Sequence, residues 1–493
     1  VLVSCPDYQW RRRALEEVSA FGIRPELVEF IDAREWLAWV NPEGDGATAR
    51  AQSLVAMASE KLRTAVPRVA ATVPVSDPRR ALVIGGGVAG MVAALDIATA
   101  GYGVDLVEKR DRLGGNVLDI PLTARGAEAK HLLKDLHTRI EAEPLVDVMF
   151  NHEVVDVQGA VGSFRTVVRP RKDGEEQARN YGAIILSTGG ARNLPKEYGM
   201  RKLDGVVDQF GLEDRISKGE VPKRVVMIQC AGSREEGGLP YCSRVCCTRA
   251  IHNARRIVKE DPEAQVTILN RDIVTYGNLE SFYTTARDEG IRFIRFNKED
   301  KPVVTEGEDS PLKVDVHDPG LEDALTIDAD VVVLSTGMVP RPLGKLPEML
   351  RTDVDDHGFL ASPNVKFRPV DAFRDGIYAC GLTTGPKIAE ESMASAHAAA
   401  GRVLAVLRRT DLPVRLGIST VNLRTCSACG LCVSQCPFSS RYLDPKDGKA
   451  RVDEAACWGC GVCAQVCPNG AASMATRSER QAIHQVDAAV WHD

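Results

Sequence analysis

The chain has 493 residues, 44% hydrophobic, 26% charged and 5% aromatic, enough for about three domains at roughly 150 residues each. Its 62 basic and 68 acidic residues leave a formal charge of -6, which excludes a surface built to coat nucleic acid. Eight of its 14 cysteines fall between Cys426 and Cys467 and four between Cys230 and Cys247, a clustering that suits metal ligation in a reducing compartment rather than a secreted disulfide framework, so the expected location is cytoplasmic.

Residues 1 to about 66 are expected to be helical, with a cap-like start at Asp32 and an Ala/Leu-rich run from Ala47 to Leu62. The chain starts at Val1 without a methionine, so the N-terminus is expected to be incomplete or processed. Pro67, Pro74 and Pro78 mark Val66 to Arg80 as a linker. The most apolar stretch, Ala81 to Leu95, is interrupted by glycines and stopped by Asp96, short of the roughly 20 residues of a membrane span. From Ala81 the pattern reads strand, glycine turn, helix, strand. Short β-branched runs recur at Ala183 to Ser187, Arg224 to Ile228, Gln265 to Leu269, Ile291 to Phe296 and Asp330 to Leu334. With helical segments between them they imply α/β architecture, its parallel sheets covered on both faces. After Gly401 to Arg409, Pro413 leads into a cysteine-rich tail with an approximate duplication, CSACGLCVSQCP and CWGCGVCAQVCP.

Gly85, Gly87 and Gly90 form GxGxxG between a strand and a helix, and Glu108 ends the following strand. The first glycine permits the tight turn, the second lets a pyrophosphate approach, the third lets helix pack on strand, and Glu108 can accept from a ribose hydroxyl. The motif alone also fits a purely structural turn, but its surroundings favour a dinucleotide site. EKRDRLGGN (Glu108 to Asn116), LSTGG (Leu186 to Gly190) and GIYACG (Gly376 to Gly381) resemble the segments with which two-dinucleotide disulfide reductases close over FAD, although Leu382 stands where an acidic residue often contacts the flavin. No GxGxxG follows Arg224 to Ile228, so the loop that would hold NAD lacks its glycines.

That loop begins instead with Cys230, followed by Cys242, Cys246 and Cys247, four thiols within 18 residues ahead of a helix starting near Thr248. They match the need of a 4Fe-4S cluster for four thiolates. Buried free cysteines or a dithiol redox centre are the alternative. In the tail, Cys426, Cys429, Cys432 and Cys436-Pro437 are followed by Cys457, Cys460, Cys463 and Cys467-Pro468. In two-cluster ferredoxins the fourth cysteine of each run ligates the other cluster, so Cys467 joins the first trio and Cys436 the second. A zinc ribbon would need only four ligands. Cys5 and Cys380 read as packed small residues. His252, one turn beyond Cys247, is either a neighbour of the cluster or flavin or an ordinary surface or core histidine.

RALVIGGGVAGMVAALDIATAGYGVDLVEKRDRLGGN, QCAGSREEGGLPYCSRVCC, RDIVTYG and the paired ferredoxin motifs together resemble the A-type subunit of heterodisulfide reductase over nearly the whole chain. The resemblance implies a Rossmann-like FAD domain (80–205 and 325–410), an inserted second α/β domain (206–324), a two-cluster ferredoxin domain (411–493) and a short helical N-terminal segment (1–79). It implies one FAD, held by Gly85, Gly87, Ala89, Gly90, Glu108, Lys109, Gly114, Gly115, Asn116, Val154, Thr188, Gly189 and Gly381, and three 4Fe-4S clusters, one of them on Cys230, Cys242, Cys246 and Cys247. FAD would be the redox centre, with no catalytic side chain. The implied function is electron transfer, as a homodimer within a larger assembly, among B/C-type subunits, a hydrogenase or other dehydrogenase module, and ferredoxin. Leu37 in REWLAWV replaces a cysteine common in relatives, so no N-terminal cluster is expected and Cys5 reads as a relic. His252 replaces the lysine of several bifurcating members. Bifurcation or confurcation therefore stays open, as does the choice among disulfide, benzoyl-CoA, sulfur and quinone branches. A stand-alone NAD(P)H-dependent flavin oxidoreductase and a non-catalytic iron-sulfur scaffold are the alternatives.

Overall fold

A computed structural model describes residues 1–5, 8–41, 45–65, 72–415, 417–476 and 479–490. It divides into two compact units, Val75–Thr410 and, together, Val1–Pro74 with Asp411–Asp493.

The larger unit is built on two five-stranded parallel sheets. The first has the strand order Ile377–Ala379, Ala183–Leu186, Arg80–Ile84, Gly103–Glu108, Val146–Phe150. Its inner strands Ala183–Leu186 and Arg80–Ile84 read as nearly continuous apolar runs because both faces are buried. One face packs on the helices Val88–Thr99, Ala129–Ala142 and Ala389–Leu407, with Val83, Met91, Leu106, Leu136 and Val403 in the core between them. The chain leaves this sheet after Leu186 and returns to it at Ile377. Between these points it builds the second sheet, in the order Val206–Asp208, Val331–Leu334, Arg224–Ile228, Gln265–Asn270, Arg292–Arg295. The helices Gln209–Ser217, Cys246–Glu260 and Glu280–Asp288 cover one face of it.

The strands fall where the sequence predicts them. Both sheets are covered on both faces, but helices supply only one cover of each. The other is a three-stranded antiparallel sheet: His152–Ala160, Ser163–Pro170 and Gln177–Tyr181 on the first, Val303–Glu306, Leu312–Asp318 and Asp323–Ala329 on the second. The middle strand of each alternates buried and exposed residues, with Phe164, Thr166 and Val168 inward in one and Leu312, Val314 and Val316 inward in the other, as a strand with one wet face does. Asp105, fully buried in the first sheet, is neutralised by Arg80 and Arg179 and accepts from the Tyr181 hydroxyl at 2.7 Å.

In the smaller unit the two cysteine runs carry short helices, Leu431–Ser434 and Val462–Gln465; Ser419–Val421 pairs antiparallel with Ala472–Met474 across both runs, and Arg441–Leu443 forms a hairpin with Ala450–Val452. The helix Asp45–Arg63 packs on Glu479–Val490, and Thr72–Pro74 pairs with Asp411–Pro413. Asp32 accepts from the backbone N–H groups of Arg34 and Glu35 and starts the turn Arg34–Ala38, as its sequence predicts. The all-helical expectation for this segment is wrong at its start, where Leu2–Ser4 pairs in parallel with Phe30–Asp32. Strands of three residues show no readable alternation, and their pairing is remote in sequence. The first six residues of the predicted linker, 66–71, lie outside the described residues, and Thr72–Pro74 within it forms a strand.

Candidate functional site

A cavity of about 760 Å³ opens in the larger unit, within the size range of cofactor pockets. Of the predicted contacts, Gly85, Gly87, Ala89, Glu108, Lys109, Gly114, Gly115, Asn116, Val154, Thr188, Gly189 and Gly381 line it. Gly90 does not. A Cβ there would stand 1.9 Å from the Gly85 carbonyl oxygen, so this glycine serves the close seating of helix on strand. A Cβ on Gly115 would stand 2.9 Å from the Gly87 Cα, so two loops meet here with no room for side chains. Glu108 is buried, accepting the Gly86 N–H at 2.7 Å and the Arg110 N–H at 2.9 Å. Asn116 donates to the Gly190 carbonyl at 2.9 Å and accepts from Arg341 at 3.0 Å. Gly189 N–H donates to the Thr383 hydroxyl at 3.3 Å, and Gly381 N–H to Ser395 at 2.9 Å.

The lining is basic, with Lys109, Arg110, Arg169, Arg171, Arg249, Arg341, Lys345 and Lys387 against Glu108, Glu153 and Glu213. Burial pushes the Lys109, Arg341 and Lys387 pKa values down, the mark of cations held partly out of water without matched anions. The hydroxyls of Thr123 and Ser392 are buried in the same wall with no hydrogen-bond partner. A glycine-lined cradle, surplus positive charge and unpaired hydroxyls fit an anionic dinucleotide.

The four thiols of the inserted domain lie near one another, and the helix that carries two of them lines this cavity. Cys230 follows the strand Arg224–Ile228 in a left-handed conformation, φ 60°. The helix begins at Cys246, two residues earlier than expected, so Cys246 and Cys247 occupy its first turn. Val245, Arg249, His252 and Asn253, successive on one helical face, line the cavity. Burial, with Cys247, Cys230 and Cys242 close by, pushes up the Cys246 thiol. Burial also takes the Cys247 thiol to about 12, although a backbone N–H at Val274 opposes it. Arg244 N–H donates to the Cys242 sulfur at 3.3 Å, and the Arg234 guanidinium lies 3.9 Å from the Cys230 sulfur. The loop is anchored by Ser243, whose hydroxyl accepts the Met338 N–H at 2.8 Å, and by Glu197, which accepts the Gly232 N–H at 3.0 Å. Arg244 also binds Glu391 at 2.6 Å, on the helix Ala389–Leu407 that contributes Ala389 and Ser392 to the cavity.

In the tail, Cys426, Cys429, Cys432 and Cys467 line one small cavity, the grouping the spacing predicts. Backbone N–H groups of Ala450 and Ala428 hold the Cys426 thiol below its usual range. Burial raises the Cys467 pKa, but N–H groups at Ala472, Asn469 and Ala471 outweigh it. Ser419 joins members of the other group, its N–H 3.5 Å from the Cys457 sulfur and its hydroxyl 3.1 Å from that of Cys463. Cys436 accepts the Ser440 N–H at 3.3 Å, and Cys460 is exposed. Among the described residues no three metal-binding side chains converge as around one ion. A cubane cluster asks instead for thiols spaced around it, each on its own iron.

Residues 79–228 match the family model described as pyridine nucleotide-disulphide oxidoreductase, and residues 425–471 the 4Fe-4S dicluster domain. An iron-sulfur A-type subunit of CoB–CoM heterodisulfide reductase from Methanopyrus kandleri is 31% identical over 534 residues, covering 89% of this chain and 80% of that protein. The A-type subunit of the H2/formate:CoB-CoM heterodisulfide, ferredoxin reductase of Methanococcus maripaludis is 30% identical over 566 residues, covering 94% and 85%. The chain belongs to the family of heterodisulfide reductase A-type subunits. It is an oxidoreductase. Among solved structures, thioredoxin reductase of T. acidophilum aligns over 67% of this chain and 98% of its own, at 18% identity and TM-score 0.44.

Sequence reasoning missed several wall residues of this heterodisulfide reductase family member. Arg341 follows the last strand of the inserted sheet, Lys387 and Ser392 flank the start of a helix, and none lies in a recognisable motif. Leu382, in place of the usual acid, lines the cavity. His252 is a cavity residue: its Nε2 lies 3.0 Å from the Ala124 carbonyl, its ring against Phe282, and burial lowers its pKa. Cys380 is fully buried, as expected, but Cys5 is exposed and is not a packed residue. Its expected burial rested on residue type alone.

Proposed function

We propose that this chain is the flavin- and iron-sulfur-dependent electron-transfer subunit of a heterodisulfide-reductase-type complex, with FAD in the cavity of the larger unit and three 4Fe-4S clusters. One cluster is held by Cys230, Cys242, Cys246 and Cys247, one by Cys426, Cys429, Cys432 and Cys467, and one by Cys436, Cys457, Cys460 and Cys463. The FAD domain comprises residues 80–205 and 325–410, the inserted cluster-bearing domain residues 206–324. The observation that carries this reading is the shared wall: the helix whose first turn holds Cys246 and Cys247 also lines the dinucleotide cavity.

Bound flavin exchanges electrons in pairs or singly, whereas each cluster exchanges one, and this difference is the chemistry the cofactors supply. The protein provides binding and surroundings. The turn from Gly85 and the helix Val88–Thr99 present backbone N–H groups to a pyrophosphate, while Glu108 offers its remaining lone pairs to a ribose. Arg341 and Lys109 balance phosphate charge. The thiols of Cys246 and Cys247, raised by burial, lose their protons as metal binds. NAD(P)H has no matching place on the inserted sheet, because Cys230 stands where its glycine loop would begin.

No helix among the described residues is long and apolar enough to cross a membrane, and cysteines clustered for metal ligation suit a reducing compartment such as the cytoplasm. The partners we assign are B/C-type subunits, a hydrogenase or other dehydrogenase module, and ferredoxin, with a second copy of the chain in the assembly. Denaturing the anaerobically purified chain and assaying what it releases tests the reading. One FAD with about twelve irons and as many sulfides is expected for three clusters. An absence of FAD would instead indicate an iron-sulfur scaffold.

A further inference from the structure

One buried charge in the tail has no part in the chemistry described above. Arg441 opens the strand Arg441–Leu443 and is 4% exposed. Its Nη2 donates to the Ser419 hydroxyl and to the Cys463 sulfur, the latter at 3.1 Å. Its Nη1 is buried with no hydrogen-bond partner. The same side chain lines the cavity of Cys426, Cys429, Cys432 and Cys467, close enough to act electrostatically on Cys432 and Cys467. Arg441 thus touches one predicted cluster site through a hydrogen bond and forms part of the wall of the other.

A guanidinium stays charged, and a charge taken out of water without an opposite charge is strongly disfavoured. Among the described residues Arg441 has no carboxylate partner, so its counter-charge has to come from the thiolates around it. The duplicated sequence shows that the fold does not demand this cation. Arg441 lies five residues after Cys436, and the matching place after Cys467 is Ala472, also buried, whose N–H donates to Cys467 at 3.4 Å.

We propose that Arg441 is shared by the two cluster sites of the tail and raises both reduction potentials together, its charge acting on both and its Nη2 hydrogen bond on the Cys463 site alone. The proposal rests on the cluster assignment made above. Reduction adds one electron to an already anionic cluster, with no bond formed or broken, so a fixed cation beside both sites favours the reduced form of each. A hydrogen bond to a ligating sulfur acts in the same direction. The tail clusters would then be tuned as a pair.

The test is a dithionite titration of the full-length holoprotein followed by electron paramagnetic resonance, with iron and sulfide counted in every sample. R441M keeps the bulk and removes charge and donors. It should retain its iron, shift both tail clusters about tenfold toward the oxidised form, equivalent to 59 mV for one electron, and leave the Cys230-loop cluster unchanged. R441K restores the charge without the planar fork. It should bring the Cys467-containing site back to wild type and leave a smaller residual fall at the Cys463 site. Full iron content with both midpoints unmoved in R441M overturns the proposal, and so does a shift at one tail cluster only. Should R441M lose iron, R441Q, which removes the charge but keeps an N–H donor, decides: a fall at both tail clusters supports the shared role, and a fall at one only or at neither contradicts it. Wild-type protein without two reducible tail clusters contradicts the cluster assignment itself, an outcome read before any variant is compared.

Discussion

Gly90 shows how little freedom single residues have around the cavity. With its would-be Cβ 1.9 Å from the Gly85 carbonyl, Gly90→Ala has to push the helix Val88–Thr99 off the strand Arg80–Ile84, at a cost of about 1–3 kcal/mol for overpacking. Lower flavin retention and a lower thermal midpoint are expected, measured by released FAD and by calorimetry, and an unchanged FAD content would contradict the seating role. Tyr181 carries a different kind of constraint. Burial raises its pKa and keeps it a neutral donor to Asp105. Tyr181→Phe should cost about 2 kcal/mol in denaturant unfolding, the range for a hydrogen bond to a charged group, with iron and FAD content unchanged. Glycines and cysteines were legible in the sequence because few residue types meet their demands of backbone freedom and metal affinity. Arg341, Lys387 and Arg441 were not, since any solvated surface carries such side chains, and only the fold shows these to be buried or cavity-lining.

At the scale of elements, the helix Cys246–Glu260 joins two sites. Its first turn holds two thiols and its cavity-lining face carries His252, whose pKa burial lowers. The unfolded chain therefore binds a proton at His252 over a range just below the usual histidine pKa in which the folded chain does not, so this residue makes stability fall as pH drops through that window. His252→Gln should flatten that part of a stability profile measured from about pH 7 to 5. An equally steep fall in the variant would assign the acid sensitivity elsewhere. The pair Arg244–Glu391 ties the thiol loop to the helix Ala389–Leu407, with Tyr276 also donating to Glu391 at 3.0 Å. Both partners are partly exposed, so Glu391→Gln should cost at most about 1 kcal/mol. It should nevertheless weaken flavin retention severalfold if the tie positions the cavity wall; unaltered retention would reduce the pair to a surface contact. The helix start at Cys246 rather than near Thr248 is an ordinary boundary error, because nothing in RVCCTR marks a cap.

For the whole molecule, the parallel sheets were readable from runs of Val, Ile and Leu. The antiparallel layers were overlooked because attention to continuous apolar runs passes over the alternating strands Ser163–Pro170 and Leu312–Asp318. The pairing of Leu2–Ser4 with Phe30–Asp32 and the packing of Asp45–Arg63 on Glu479–Val490 depend on contacts remote in sequence, which local periodicity does not carry. Of the cysteine groupings read from spacing, the first in the tail lines a single cavity, because its members are close in sequence apart from Cys467. The cluster proposed beside the flavin stands on Cys230, Cys242, Cys246 and Cys247. Its most direct test is the iron content of Cys246→Ser in the full chain beside wild type, with FAD measured in the same samples. About twelve irons should fall to about eight with FAD retained, and equal iron in both proteins would contradict the claim.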